Sequence, residues 1–362
     1  MSPRVIGIDP GTKSIDLCGL ADGNVWLDRT IPTREALARP DAFLALLTEG
    51  GTPDLIAGPS GYGLPLIQAQ EITDTDLRLA LLSAEGEAGG IGGLGALLRV
   101  LVTSALPIVF TPGVIHLPTV PAHRKLNKVD MGTADKVAAA ALGILQGNGG
   151  PQARPWPSFI LLELGGAFTA AIAVDHGTIV DGIGGTSGPM GWESAGGWDG
   201  EAAFLAGRVT KDLLFRGGRK ADDAHGLAGY IESAVKAVLS LTASLPQPQA
   251  ILLSGRHARD VDLREPLEQR LRAIAPVIDL RGFAKTAKQG AQGAAIIADG
   301  LAGGVHASLV DRMRLRESSG TVLDYLRVIS PADAMQRIAT ATAAAQSEAR
   351  PRNDSSQSNS SA

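Results

Sequence analysis

Residues 5–25 read VIGIDPGTKSIDLCGLADGNV, and residues 159–179 read FILLELGGAFTAAIAVDHGTI. The two stretches align without a gap. Asp9 then meets Glu163, Gly11 meets Gly165, Gly23 meets Gly177 and Val25 meets Ile179. Each copy runs apolar strand, acidic residue, x-Gly turn, second apolar strand, x-Gly turn, third strand. That pattern is a β-meander, with Val5 to Ile8 and Ile15 to Leu20 as strands and Asp22-Gly23 as a type I′ hairpin signal. A chain that carries this unit twice is constrained to two similar domains, each opened by one copy.

At 362 residues the chain is long enough for two cores. The reading divides it into a first domain over 1–150, a second over 151–345 and a disordered Ser/Asn-rich tail over 346–362. The Gly/Pro-rich stretch GNGGPQARPWP at 147–157 serves as the linker. The tail has too little apolar surface to offset the entropy of ordering it. Helices are expected at Pro40–Leu47, Leu94–Leu106, Thr133–Leu145, Gly200–Arg208, Leu227–Leu245, Arg264–Ala273, Thr286–Gly300, Thr321–Arg327 and Pro331–Ala345. A buried strand is expected at Ile251–Leu253, ending at Ser254-Gly255.

The meander turns hold residue types suited to phosphate chemistry. Gly11, Gly165 and Gly166 let backbone approach an anion closely. Thr12, Ser14 and Thr169 supply hydroxyls, and Lys13 a charge. Asp9 and Glu163 end equivalent strands and would face each other across a cleft. A hydrated Mg²⁺ uses few protein carboxylates, which such a pair satisfies.

VIGIDPGTKS and FILLELGGAFTAAI resemble the two phosphate motifs of the acetate kinase, sugar kinase, Hsp70 and actin superfamily. ILLSG at 251–255 is similar to its adenosine motif, followed here by Arg256. MGTADKVAAAALGIL at 131–145 and QGAQGAAIIADG at 289–300 are similar to its two connecting helices. The motifs follow the family order over nearly the whole chain. PAHRKLNKVDMGTADK and GGTSGPMGWESAGG look most like the acetate and butyrate kinase branch, in particular its predicted butyrate kinases. The second segment has Trp192-Glu193-Ser194 where butyrate kinases carry an arginine, and Asp9 stands where their first motif has Asn.

The resemblance implies an α/β protein of two related RNase H-like domains. Each would be a mixed five-stranded sheet with an antiparallel meander and flanking helices, and ATP would lie in the cleft between them. It implies a kinase that uses ATP and Mg²⁺, with Asp9 and Glu163 at the metal, Gly255 and Arg256 at the nucleotide, and Arg124 and His123 at the acceptor. The first-choice acceptor is a short carboxylate, which needs no general base. The alternatives are a hydroxyl kinase, with Asp130 or Asp135 as base, and a nucleotide-dependent switch of the actin or Hsp70 type.

Other classes fit poorly. A net charge of −4 without a clustered basic face argues against nucleic acid. No apolar run is long enough for a bilayer, and no secretion signal is recognised, so a cytoplasmic location is expected. The single cysteine, Cys18, excludes an internal disulfide and an iron–sulfur activator. His116 and His123 lack the HxxxH spacing of an iron site. A homodimer is left open.

Overall fold

The structure is a computed structural model that describes residues 2–11, 13–58, 61–82, 94–148, 155–207 and 209–338. In the first half the strands are β1 (Arg4–Pro10), β2 (Ser14–Ala21), β3 (Asn24–Pro32), β4 (Leu55–Gly58), β5 (Ile67–Gln68) and β6 (Ile108–Phe110). The helices there are α1 (Thr33–Ala38), α2 (Pro40–Leu47), α3 (Asp74–Leu81), α4 (Leu94–Thr103), α5 (Ala122–Lys125) and α6 (Ala134–Asn148). In the second half come β7 (Phe159–Leu164), β8 (Thr169–Asp175), β9 (Thr178–Ile183), β10 (Ala250–Ser254) and β11 (Val277–Asp279). Its helices are α7 (Gly200–Ala206), α8 (Gly226–Leu241), α9 (Val261–Leu271), α10 (Gln289–Leu301) and α11 (Ala307–Met313).

The sheets run β3-β2-β1-β4-β6-β5 and β11-β10-β7-β8-β9. Each is an antiparallel meander extended by parallel strands on the side of its first strand. The first therefore has six strands, one more than expected, because the short β5 pairs with the edge strand β6. The repeat extends to detail. Asp22-Gly23 and His176-Gly177 all have positive φ, as a type I′ turn requires. Register slips after Gly19 in one copy and after Ala173 in the other, which are aligned positions. A bulge there tightens the twist of both meanders in the same place.

The helices that follow the meanders are not confined to their own halves. Helix α10 lies over β1, and its residues Ala291, Ala294, Ala295, Ile296, Ile297 and Ala298 share one core with Val5, Ile6 and Ile8. Leu309, Val310, Met313 and Val322 join that core, so the chain after about residue 287 returns to the first sheet. The second core is formed by β7, β8 and β10 against α8 and α9. Helices α6 and α10 cross in near contact. A Cβ on Gly293 would lie 1.8 Å from the Ala138 carbonyl oxygen, so only glycine permits this approach.

Two expected helices differ. Residues 286–288 do not enter α10, because the Asp28 carboxylate on β3 accepts from the backbone N–H groups of Lys285, Thr286 and Ala287. Residues 321–327 form turns rather than a helix. There Asn127 Oδ1 accepts from the N–H groups of Arg327 and Val328, and Asn127 N–H donates to Tyr325 O, so these groups are spent outside any helical ladder. The expected helix at 331–345 is helical over 331–338, and its remainder lies outside the described residues, as does the tail. Among the described residues no helix is long and apolar enough to cross a membrane.

Candidate functional site

The continuous apolar runs of β1 and β7 are buried, and Asp9 and Glu163 stand half-buried towards their C-terminal ends. The first turn of α6 reaches Glu163. Lys136 Nζ lies 2.5 Å from Asp135 Oδ2 and 3.0 Å from Glu163 Oε1. Burial alone would lower the lysine pKa, but the two carboxylates outweigh it and hold the ammonium above the ordinary lysine range. Burial pushes Glu163 upward, with Lys136 opposing and Asp135 adding to the rise. Burial raises Asp9 to about 7, and the Asp135 charge adds to this while Lys288 and Lys136 oppose it. Asp9 and Glu163 thus respond to one Asp135–Lys136 pair, each from its own sheet.

Helix α10 closes the other side. A Cβ on Gly290 would lie 2.6 Å from Asp9 Oδ2, so the glycine lets this carboxylate sit against the start of the helix. There the positive end of the helix dipole favours a negative charge. Lys288 precedes the helix. Its Nζ donates to Ser14 Oγ at 2.7 Å and pairs with buried Asp16 at 2.8 Å. Asp16 also accepts from Thr30 Oγ1 at 2.6 Å. The first turn closes through Gly11 N–H to Ser14 O at 2.7 Å, and Thr33 Oγ1 donates to Gly11 O at 2.8 Å.

The other sequence-derived positions divide. Lys13 is exposed, and Lys288 is the lysine whose ammonium sits inside the first turn. Thr12 lies outside the described residues. Thr169 is fully buried and its hydroxyl donates to Tyr230 OH at 3.1 Å, so it faces the second core and not the turn. Its repeat equivalent is the buried Ile15, a parity the alignment already contained. Gly165, Gly166, Gly255 and Arg256 do come together. Gly255 has φ +91°, a Cβ on it would lie 2.5 Å from Leu164 O, and Arg256 Cδ lies 3.8 Å from where Gly166 would carry a Cβ.

Arg124 and His123 sit elsewhere. Arg124 Nη1 donates to Val180 O at 2.7 Å, and its Nε lies 3.8 Å from Asp181 Oδ2, so the guanidinium braces α5 against β9. His123 is exposed on α5. Neither lines the cavity described next.

A cavity of about 420 Å³ opens beside the Asp135–Lys136 pair. It is lined from both halves, by Pro10 and Tyr62 on one side and Phe168, Thr186 and Phe215 on the other, with Asp130 and Asp135 between. The loop after β9 forms one wall, and Trp192 in it stacks on His257, ring centroids 3.8 Å apart and 10° from parallel. His257 N–H donates to Leu164 O at 3.0 Å, so the stack ties this loop to the Gly165/Gly255 corner. The sequence marked Trp192 but gave no sign of this partner.

The arrangement fits a nucleotide phosphate chain and a divalent ion. Ser254 Oγ is buried without a partner at the end of β10, on the strand position paired with Glu163. Asp9 is raised by its burial and by the Asp135 charge, which outweigh Lys288 and Lys136. Among the described residues no group of three or more His, Cys, Asp or Glu is placed to hold a metal. A Mg²⁺ that arrives with phosphates and waters needs only one or two protein carboxylates.

Residues 7–328 match DUF1464, described as a protein of unknown function, and the chain belongs to that family. No curated protein matches it in sequence. Its fold is similar to that of a propionate kinase from Francisella tularensis subsp. tularensis SCHU S4, with 13% identity and a TM-score of 0.57 over 81% of this chain and 99% of that one. It is also similar to an acetate kinase from Entamoeba histolytica, with 12% identity and a TM-score of 0.50 over 75% of this chain and 86% of that one. A Porphyromonas gingivalis acetate kinase gives 13% identity and a TM-score of 0.50 over 81% and 98% of the two chains. At these identities the likeness establishes the shared two-sheet α/β architecture, the one implied by the superfamily resemblance.

Proposed function

We propose that this DUF1464 protein is an ATP-dependent phosphotransferase acting on a small molecule held in the cavity. The observation that carries the reading is the placement of the two repeated strand ends beside that cavity, Asp9 against the start of α10 and Glu163 3.0 Å from Lys136 of α6, with Pro10 and Lys136 lining the cavity itself. Phosphoryl transfer needs positioning and charge compensation more than covalent chemistry from the protein. Asp9 and Glu163 would hold hydrated Mg²⁺, which neutralises phosphate charge when bound. The first turn, with Gly11, Ser14 and Lys288, would contact phosphate oxygens. Gly165, Gly166, Gly255 and Arg256 would form the nucleotide corner. The solved propionate and acetate kinases of similar fold support this reading.

The finer reading taken from the acetate and butyrate kinase resemblance is a short carboxylate acceptor. It has Arg124 and His123 nearest the charged end of that acceptor and needs no general base; neither residue is among those lining the cavity.

Calorimetry with ATP and Mg²⁺ tests the proposal. Wild-type protein should bind, and Gly11→Val should abolish binding, because its Cβ would lie 3.0 Å from Ser14 O and 3.4 Å from Lys288 Nζ. Absence of ATP or ADP binding to the wild-type protein overturns it.

A further inference from the structure

The charges facing the cavity bear on the acceptor. Its lining has four carboxylates, Asp130, Asp135, Glu193 and Asp212, against two ammonium groups, Lys136 and Lys211. Lys136 is engaged by Asp135 and Glu163, Glu193 pairs with Lys220 at 2.8 Å, and Lys211 sits 4.8 Å over the Tyr62 ring. Asp130 differs from the other carboxylates. It is only 5% exposed, and among the described residues no lysine or arginine lies within ion-pairing distance of it.

Asp130 is held in place by backbone. Oδ1 accepts from Gly132 N–H at 3.0 Å, and Oδ2 accepts a long bond from Thr186 N–H at 3.4 Å. Ser187 Oγ donates to its carbonyl at 2.8 Å. Gly184 and Gly185 make room for the carboxylate: a Cβ on either would lie 2.1 or 2.6 Å from its oxygens. One end of the cavity is thus a fixed, buried acceptor of hydrogen bonds. The remaining walls are largely apolar, with Leu81, Leu94, Phe168 and Phe215 among them.

We infer that the acceptor is an alcohol without negative charge and with an apolar body, and that Asp130 is the general base that receives its hydroxyl proton. This rests on the phosphotransfer reading and replaces the carboxylate within it. A carboxylate acceptor would bring a third anion to Asp130 and the phosphates with no uncommitted cation among the described lining residues, a like-charge contact in low dielectric. An alcohol donates its hydrogen to Asp130 and lays its body on the aromatic walls. In the transfer, the hydroxyl oxygen forms the new bond to the γ-phosphorus and the bond from that phosphorus to the β-phosphate bridging oxygen breaks. The hydroxyl proton goes to Asp130, and ADP and a phosphate ester leave. Burial raises the carboxyl pKa of Asp130, against the opposing Gly132 and Thr186 bonds, which makes it a better proton acceptor than an exposed aspartate.

The test pairs short primary alcohols, butanol to octanol and benzyl alcohol, with the matching carboxylates. Each is added to wild-type protein holding a non-hydrolysable ATP analogue and Mg²⁺, and thermal shift is read. Each is then incubated with ATP, and products are separated into acid-stable phosphate esters and hydroxylamine-trappable acyl phosphates. The expected result is a thermal shift and phosphate esters from alcohols, and neither a shift nor acyl phosphate from carboxylates. Asp130→Asn keeps the shape of the side chain and should lower ester formation on the order of 10²–10⁴-fold. Its ATP affinity by calorimetry should stay within about twofold, since Asp130 touches no group assigned to the nucleotide. Acyl phosphate formation, carboxylates that shift the protein as alcohols do, no response to any panel member while ATP binds, or full activity in a folded Asp130→Asn protein overturns the inference. Failure of ATP to bind is a separate result and removes the phosphotransfer reading itself.

Discussion

Replacing Lys136 with methionine isolates the charge arrangement at the centre of the site. The lysine side chain is 16% exposed and touches two carboxylates, Asp135 at 2.5 Å and Glu163 at 3.0 Å. Methionine preserves most of the volume and removes the charge. Removing one partner of a buried ion pair costs about 3–5 kcal/mol. Protonation caps that cost, since a carboxylate that cannot stay ionised takes up a proton instead. With an ordinary glutamate value of 4.5, taking up that proton at pH 7 costs 2.5 units at about 1.36 kcal/mol each, or about 3.4 kcal/mol. At pH 5 the same step costs about 0.7 kcal/mol. In Lys136→Met the folded Glu163 pKa lies further above its unfolded value, so the unfolded chain binds fewer protons. Stability is then retained below about pH 4.5 and lost as pH rises. Lys136 itself is raised, so its own linkage acts only above the ordinary lysine range and leaves the interval from pH 5 to 7 to the carboxylates. Thermal unfolding of both proteins without nucleotide should show a gap of about 7 °C at pH 7, taking about 2 °C per kcal/mol for a large chain. The gap should shrink to roughly 1–2 °C at pH 5. A gap that is constant with pH, or that widens as pH falls, would refute the account.

Asp9, raised to about 7 by burial and by Asp135, should make the ligand-free protein lose stability as pH rises from about 4 to about 7. Asp9→Asn should flatten that part of a melting-temperature profile, and an unchanged slope counts against the assignment. Asp28→Ala strips the acceptor from three backbone N–H groups before α10 and should cost about 2 kcal/mol. Hydrogen exchange should quicken at the start of α10, and wild-type exchange there would contradict the pinning role. Although partial burial pulls the other way, these N–H groups hold the Asp28 carboxyl below its usual range. The Asp28 contribution is therefore present above the ordinary aspartate value and lost as pH falls through the lowered one. Burial, with Asp28 adding to it, pushes Cys18 up to about 12, so a thiol reagent should label it only in denaturant, and rapid labelling of native protein would contradict the packing of β2.

What the sequence by itself determined was local and periodic. The apolar strand runs, the Asp22-Gly23 and His176-Gly177 turns, and the gapless alignment of the two copies specified both meanders. These features depend on neighbours a few residues away, so the residues announce them. Parity along the strands also contained the inward turn of Thr169, since its aligned partner Ile15 is plainly a core residue. Only the tertiary structure decided which cations lie at the first turn and at the strand ends. Lys13 and Lys288 are both loop lysines in sequence, and the Asp28 contacts before α10 bring Lys288 to the first turn. Arg124 lies beside His123 in a segment resembling a substrate loop, yet the packing of α5 on β9 ties it to Val180 and Asp181. Lys136 reads in sequence equally as a cleft lysine or an ordinary first-turn residue, and β7 gives it its partner by setting Glu163 3.0 Å away. The crossing of α6 and α10 at Gly293 likewise returns the end of the chain to the first core. Such contacts join residues far apart in the chain, and their identity is settled by which apolar faces pack together, a choice that no local pattern encodes.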